Sequence, residues 1–281
     1  MGLRINTNIA SINAQRNLRT TRQDLDKTLE KLSSGSRINR AGDDAAGLAI
    51  SEHLRAQIKG LKQAERNAQD GISLIQVAEG GLSEISNILI RLRELAVQAA
   101  SDTVGPTERK FLNLEFEQLL EEIERIANAT EFNKIPLLNG TGAVFDIQIG
   151  TGNDPTVDRI TFDSSSADVN IAALGINLTS VTDKASAQNA LSSIDASIIS
   201  VSAIRADFGA MQNRIQSTIN NIAVTIENLS AANSRIRDTD IASETAELVR
   251  NNILMQAGTS VLSQANNSAT AALTLLKSAS G

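Results

Sequence analysis

Residues 191–236 read LSSIDASIISVSAIRADFGAMQNRIQSTINNIAVTIENLSAANSRI, and apolar side chains recur through them in steps of three, four and seven. This is the period of a helix that packs along its whole length against other helices. A second series near the other end of the chain, from Leu54 to Leu89, keeps the same rhythm. Two long seams from opposite ends of one chain predict a mainly α protein, an elongated antiparallel helical bundle or coiled coil.

Two further amphipathic segments lie outside these seams. One covers residues 3–33 and the other begins at Ile241, after a slip in the apolar phase at Ile236–Asp240. A lone amphipathic helix cannot bury its own apolar stripe. Pairing the two outer segments would cover only part of each stripe. We therefore expect both ends to be largely disordered in the monomer and to fold when neighbouring copies cover the rest.

The middle of the chain has a different period. Residues 144–149 and 158–162 alternate as strands do, and the turn-forming residues 151–155 separate them. This pattern predicts a β-hairpin, followed by a loop or short irregular linker over residues 164–186. A two-stranded hairpin is marginal alone in water, so we expect it to pack on the helices.

The breaks between periodic segments predict five consecutive parts. Pro106, Pro136 and Pro155 fall between periodic segments, where proline does not interrupt a helix. Residues 1–44 are the first half of an outer helical domain, and residues 45–140 hold two rod helices. Residues 141–186 hold the hairpin with its linker, residues 187–236 form a third rod helix, and residues 237–281 are the second half of the outer domain.

Composition argues against an enzyme. The 281 residues include six Phe but no Trp, Tyr or Cys, and His53 is the only histidine. No pair or triad of side chains has the spacing of a catalytic or metal site. Asp43 and Asp44 are adjacent, so capping of the following helix explains them better than a carboxylate pair does. We therefore expect no catalytic activity, cofactor or metal.

Charge is uneven along the chain. The net charge is −6, yet residues 1–40 hold eight Lys or Arg against three acidic residues, which is +5 and leaves −11 elsewhere. Without interleaved aromatic residues or a groove-reading motif, this basic segment favours contact with a protein partner over nucleic acid. The start lacks the apolar run of a cleaved leader, and no stretch approaches a membrane span, so we expect neither a cleaved leader nor membrane insertion.

Several runs of residues resemble those of bacterial flagellin, the subunit of the flagellar filament. They cover nearly all of residues 1–140 and 187–276 in the order of that family. The runs are Arg4–Ala14, Leu32–Asn39, Ala41–Ser51, Arg93–Gln98, Glu131–Asn133, Arg205–Arg214 and Ile236–Asp240.

The resemblance implies a structural subunit of an extracellular filament that serves motility. It implies terminal helices that form an inner coiled-coil tube and middle helices that surround it. Heterologous contacts that do not close give such an open helical polymer. The residues we expect to join copies in the inner tube are Ile5, Ile9, Ile12, Leu25, Leu29, Leu248, Met255, Leu262 and Leu276.

The resemblance also implies partners. Members of the family are exported through the flagellar type III channel without a cleaved signal peptide. It further implies an export chaperone that binds the carboxy-terminal helix, and hook-associated and cap proteins at the filament. Toll-like receptor 5 recognises some flagellins, and the residues that match its contact positions are Arg91, Leu95, Gln98 and Glu115.

Two alternatives share the helical pattern. A hook-filament junction protein would have similar terminal helices without forming a long polymer. A signalling coiled-coil adaptor belongs to another class, and it would need a membrane span or sensor domain, which the sequence lacks.

Overall fold

A computed structural model describes the backbone of residues 7–279 and the side chains of residues 7–268. Five long helices and two small strand pairs make up the fold, and the mainly α class is confirmed. Along the chain the elements are α1 (Ile9–Ser34), α2 (Ala45–Ala99), α3 (Pro106–Ala129), β1 (Glu131–Phe132), β2 (Ile135–Pro136), β3 (Val144–Gln148), β4 (Arg159–Asp163), a 3-10 turn (Ser164–Ser166), α4 (Lys184–Arg237) and α5 (Ile241–Ala279).

The helices begin and end where the sequence provides a signal. Gly35, at φ 68°, ends α1 in the left-handed region that glycine tolerates. Pro106 occupies the first turn of α3, where a missing N–H costs no helical hydrogen bond. The slip in the phase of the apolar residues at 236–240 corresponds to the break between α4 and α5.

The chain forms two compact units. One, here the terminal unit, contains the chain up to Ala56 and from Asn228 onward, and the other, the middle unit, is Gln57–Glu227. In the middle unit, buried side chains of α2, α3 and α4 form one continuous core, with Leu82, Leu89, Phe116, Ile123 and Ile194 at its centre. No described helix is long and apolar enough to cross a membrane.

The predicted hairpin is present and lies on helices of the middle unit. Strands β3 and β4 are antiparallel, with Phe145 opposite Phe162 and Ile147 opposite Ile160. The Phe162 ring lies 5.3 Å from that of Phe208 in α4, centroid to centroid. On the α2 side, Asn67 Nδ2 donates to the carbonyl of Gln148 at 3.1 Å. The expectation that the hairpin packs on the helices is confirmed.

Two features of the middle region differ from the sequence interpretation. Strands β1 and β2 form a second, minimal hairpin whose turn residues, Asn133 and Lys134, both have positive φ. The segment after β4 is irregular, as expected, but it also contributes to the core. Its buried side chains are Ala167, Val169, Leu174, Ile176 and Val181.

Candidate subunit interface in the terminal unit

Helices α1 and α5 pack against each other in antiparallel directions. Asn8 Nδ2 donates to the carbonyl of Ala265 at 2.8 Å, and Lys31 Nζ lies 3.4 Å from Glu244 Oε1. Between these contacts, Gly258 lies so close to Leu18 that an added Cβ would be 2.8 Å from Leu18 Cδ2. Residues near the start of α1 therefore meet residues far along α5. In this structure of a single chain the two outer helices are formed and paired, which differs from the expectation that they fold only among neighbouring copies.

The turns that begin and end these helices are joined by main-chain contacts. The N–H of Arg37 donates to the carbonyl of Arg237 at 2.6 Å, and the N–H of Thr239 donates to that of Gly35 at 3.0 Å. Arg237 also forms an ion pair with Glu52, which holds the pKa of that carboxyl below its usual value. The break after α1 and the break before α5 are thus one connected structure.

Of the two aspartates at the start of α2, one has the predicted capping role. Asp44 Oδ1 accepts from the N–H of Gly47 at 2.8 Å, which caps the first turn of α2. Asp43 instead closes the preceding turn, because its Oδ2 accepts from the N–H groups of Arg40 and Asn39. These hydrogen bonds lower the pKa of Asp43.

The residues expected in the inner tube divide into two groups. Leu25 is only 8% exposed, and Leu248, Met255 and Leu262 are half-buried. Along α5 these three share one helical face with Glu244 and Gly258, which contact α1, so this group lies on the side of α5 that faces α1.

The second group faces away from the pair. Ile9 and Ile12 are each 56% exposed, and Leu29 is 47% exposed. Ile5 lies outside the described residues, and Leu276 lies in α5 where the side chains are not described. In an isolated chain these aliphatic side chains of α1 are therefore exposed and free to contact a neighbouring molecule.

Five exposed aliphatic residues of α5 were not among the sequence candidates. They are Ile241, Val249, Ile253, Leu254 and Val261, each between 49% and 59% exposed. A signal was present in the sequence, since no charged residue occurs between Arg250 and Lys277. The exposed face of a helix in water normally carries charged side chains, and this stretch has none.

The residues that match the receptor contact lie in the middle unit. Arg91 Nη2 and Nε donate to Glu115 Oε1 at 2.8 Å and 2.9 Å, which ties α2 to α3 and raises the pKa of the guanidinium. Gln98 is exposed on the same helix as Arg91. Leu95 is 1% exposed and belongs to the core, so its side chain is not on the surface with the other three.

Comparison with known protein families gives two matches that together span most of the chain. The model of the bacterial flagellin N-terminal helical region matches residues 5–143, and that of the C-terminal helical region matches residues 191–276. The first matched region contains α1, and the second contains α5 as far as residue 276.

Whole-length relatives agree with these matches. Flagellin from Halalkalibacterium halodurans is 48% identical over 97% of this chain and 99% of its own length. The flagellar filament 33 kDa core protein of Treponema phagedenis is 42% identical over 97% of this chain and 99% of its own length.

Solved structures show a similar fold. The crystal structure of Bacillus cereus flagellin is 34% identical and covers 60% of this chain and 94% of its own, with a TM-score of 0.51. A Vibrio parahaemolyticus protein assigned as a flagellar hook-associated protein covers 70% of this chain and 100% of its own, with a TM-score of 0.57. At 16% identity it shares the fold alone. On the family matches and the whole-length identities, this chain belongs to the bacterial flagellin family.

Proposed function

We propose that this chain is a structural subunit of a bacterial flagellar filament and that copies join through the free faces of α1 and α5. The observation that carries the proposal is the set of aliphatic side chains left exposed after α1 and α5 have paired, among them Ile9, Ile12 and Ile253. Burying aliphatic surface contributes about 25 cal/mol per Å². A surface that is apolar on both outer sides of a helix pair favours contact with several neighbours at once.

The two groups of candidate residues then have different roles. Leu25, Leu248, Met255 and Leu262 hold α1 and α5 together within one copy. Ile9, Ile12 and Leu29, with the exposed residues of α5, provide the contacts between copies. Ile5 and Leu276 remain part of the proposed inner tube on the pattern of the sequence alone. In this proposal the terminal helices of neighbouring copies together form the inner tube of the filament.

The comparison with flagellins favours a filament subunit over a junction protein. Identity to flagellin is 48% over nearly the whole chain, whereas the hook-associated protein shares 16%. The proposed action is mechanical, because a long polymer of these subunits transmits rotation, and it requires no catalytic site.

Electron microscopy of the purified full-length chain, after salt-induced polymerisation, tests the proposal. Long helical filaments are the expected result. Discrete short oligomers would contradict it and would favour a junction protein.

The same proposal includes partners and location. The subunit is exported to the extracellular filament without removal of a leader, with an export chaperone on the uncharged stretch of α5 and with hook-associated and cap proteins at the filament ends. An α5 peptide that fails to compete with the full chain for the chaperone in a pull-down would contradict that assignment.

Receptor recognition is a separate proposal. Arg91, Gln98 and Glu115 present a polar surface on α2 and α3, and the Arg91–Glu115 ion pair fixes two of these side chains. We expect Arg91→Ala to reduce activation of Toll-like receptor 5 in reporter cells, with Arg125→Ala as a control on α3. Equal activation by the two variants would contradict the assignment.

A further inference from the structure

The loop that follows β2 contains an asparagine followed by a glycine, and Asn139-Gly140 is the only such pair in the chain. Gly140 has a φ of 70°, in the left-handed region that residues with a Cβ rarely adopt. The buried side chains of Leu137 and Leu138 anchor the start of the loop in the core of the middle unit. Asn139 itself is half-buried, and Thr141 is exposed. The pair is therefore held in a defined conformation at the edge of the solvent.

The side-chain oxygen of Asn139 accepts two hydrogen bonds from Thr141. The N–H of Thr141 donates to Asn139 Oδ1 at 3.1 Å, and its hydroxyl donates to the same oxygen at 2.8 Å. The first hydrogen bond closes a ring of atoms that includes the main-chain nitrogen of Gly140, so the side-chain amide is folded back over that peptide. Two donors on Oδ1 withdraw electron density from Cγ and stabilise negative charge that develops on this oxygen.

A carboxylate lies against Gly140. An added Cβ at this glycine would be 2.5 Å from Asp168 Oδ2, so only a residue without a Cβ allows this approach. Asp168 Oδ1 accepts from the N–H of Asn170 at 3.1 Å, which fixes the side chain with Oδ2 beside Gly140. A fixed carboxylate close to a main-chain N–H can accept its proton as a general base.

We propose that Asn139 is a self-modifying site, at which the fold promotes conversion of the asparagine to aspartate and isoaspartate with Asp168 as the base. Asparagine is a chemically labile residue. A following glycine offers the least steric hindrance to attack by its own main-chain nitrogen. The reaction needs one copy of the chain and water, so it is independent of the proposed function.

The reaction begins at the main-chain nitrogen of Gly140. This nitrogen forms a bond to Cγ of Asn139, its proton passes to Asp168 and from there to the departing nitrogen, and the Cγ–Nδ2 bond breaks. Ammonia leaves, and a cyclic imide remains. Water then opens the imide at either carbonyl, which gives aspartate or isoaspartate at position 139. Overall, asparagine and water become an acidic residue and ammonia.

The modified loop should hold the segment after β4 less firmly. The carbonyl of Asn139 accepts from Asn170 Nδ2 at 2.8 Å, and the carbonyl of Leu138 accepts from the N–H of Val169 at 3.0 Å. Isoaspartate routes the main chain through the former side chain, and the former main-chain carbonyl becomes a carboxylate beside Asp168. Repulsion between the two carboxylates and the displaced carbonyl both weaken this attachment.

Peptide mapping by mass spectrometry tests the proposal, because the acid is heavier than the amide it replaces. The purified full-length chain is incubated as a monomer at neutral pH, once folded and once unfolded in guanidinium chloride. We expect conversion at position 139 to be faster in the folded chain by about tenfold or more, since the base and the two donors are in place only there. Conversion that is no faster in the folded chain would overturn the proposal.

Asp168→Asn separates a base from a residue that only holds the loop. The variant keeps the size of the side chain and an acceptor for the N–H of Asn170, so we expect it to slow conversion in the folded chain by about tenfold and to leave the rate in guanidinium chloride unchanged. Loss of a merely structural contact would act in the opposite direction, because a looser loop closes the imide ring more readily. An equal or faster rate in Asp168→Asn would overturn the proposal. Asp146→Asn, which removes an exposed carboxylate on β3, is the control and should not change the rate.

Thermal unfolding after incubation gives a second readout. Asn139→Gln has a longer side chain that closes an imide ring far more slowly, so this variant should keep its melting temperature. We expect the melting temperature of the unmodified chain to fall in proportion to the fraction converted. An equal fall in the two proteins would overturn the claim that conversion weakens the attachment of the segment after β4.

Discussion

At the scale of residues, short polar side chains fix the ends of the helices and attach the irregular segments. Asp44 caps α2, and Asp183 Oδ1 accepts from the N–H of Ser186 at 2.9 Å in the first turn of α4. Asn113, in α3, holds the irregular segment, because its Oδ1 accepts from the N–H of Val181 at 3.0 Å in a buried position. The sequence indicated the cap at Asp44 but not the one at Asp183, and it gave no sign that Asn113 has a distant partner.

Asn113→Ala should lower the free energy of unfolding by about 1–3 kcal/mol. The substitution leaves the buried N–H of Val181 without its acceptor, and an unsatisfied buried donor costs about that much. Urea unfolding followed by circular dichroism measures the change. Asn128→Ala, at an exposed position of α3, is the control and should change stability by less than about 0.5 kcal/mol. Equal values for the two variants would contradict the assigned role.

Acid should weaken the fold through carboxylates bound by N–H groups. The N–H and the hydroxyl of Ser186 lower the pKa of Asp183, and the N–H groups of Arg40 and Asn39 lower that of Asp43. A lowered pKa in the folded state gives a stabilisation that is complete above the unfolded pKa of about 3.9 and is lost as pH falls through the folded value. We expect the melting temperature to change little between pH 7 and pH 5 through these groups, and to fall below about pH 4.

Asp183→Asn provides the control for this pH dependence. The amide cannot ionise, so the variant should lose less stability than the unmodified chain on acidification below about pH 4. Parallel curves for the two proteins would show that Asp183 contributes nothing to the acid response.

At the scale of elements, apolar period and breaker residues predict the helices well. Helix α2 begins at the expected residue 45, and both bounds of α4 lie within three residues of the expected 187 and 236, because the apolar series are bounded by Gly or polar turns. The β1–β2 pair escaped prediction because two-residue strands carry no period, and its turn places Lys134 at positive φ. The core residues of 167–181 escaped for a similar reason, since irregular backbone buries side chains at irregular intervals.

The hairpin depends on a glycine in α2 for its close approach. An added Cβ at Gly71 would lie 2.6 Å from Ile147 Cδ1, whereas one at Gly80 would meet nothing within 4 Å. Gly80→Ala should stabilise the chain by about 0.5–1 kcal/mol through helix propensity. Gly71→Ala should instead destabilise it by about 1 kcal/mol, because crowding a packed site costs about 1–3 kcal/mol. Thermal unfolding compares them, and an equal gain from both would contradict the close packing of β3 on α2.

At the scale of the whole molecule, the sequence predicted that the outer helices carry the assembly surface but not how each apolar stripe is divided. Leu25 and Leu29 belong to the same stripe of α1, yet one is buried and the other is exposed. Periodicity marks apolar positions without showing which partner covers them. The division depends on how α1 and α5 are rotated about their axes, which emerges only when the two helices are packed.

Two substitutions in α5 should separate pairing within a copy from joining between copies. Leu262→Asp places a carboxylate in the half-buried seam against α1, so we expect it to lower the helical content of the monomer and to prevent filaments. Ile253→Glu places one on the free face, so we expect it to prevent filaments with the helical content unchanged. Circular dichroism of the monomers makes the comparison. Loss of helix in both variants, or in neither, would contradict the proposed division.

The most direct test of the central claim is electron microscopy of Ile253→Glu after salt-induced polymerisation, beside the unmodified chain and Ile253→Leu. Ile253→Leu keeps an aliphatic side chain of the same volume at this 59% exposed position. The account predicts long filaments from the unmodified chain and from Ile253→Leu, and only folded monomers from Ile253→Glu. Filaments of normal length from Ile253→Glu would contradict the claim that the free faces of the terminal helices join the subunits.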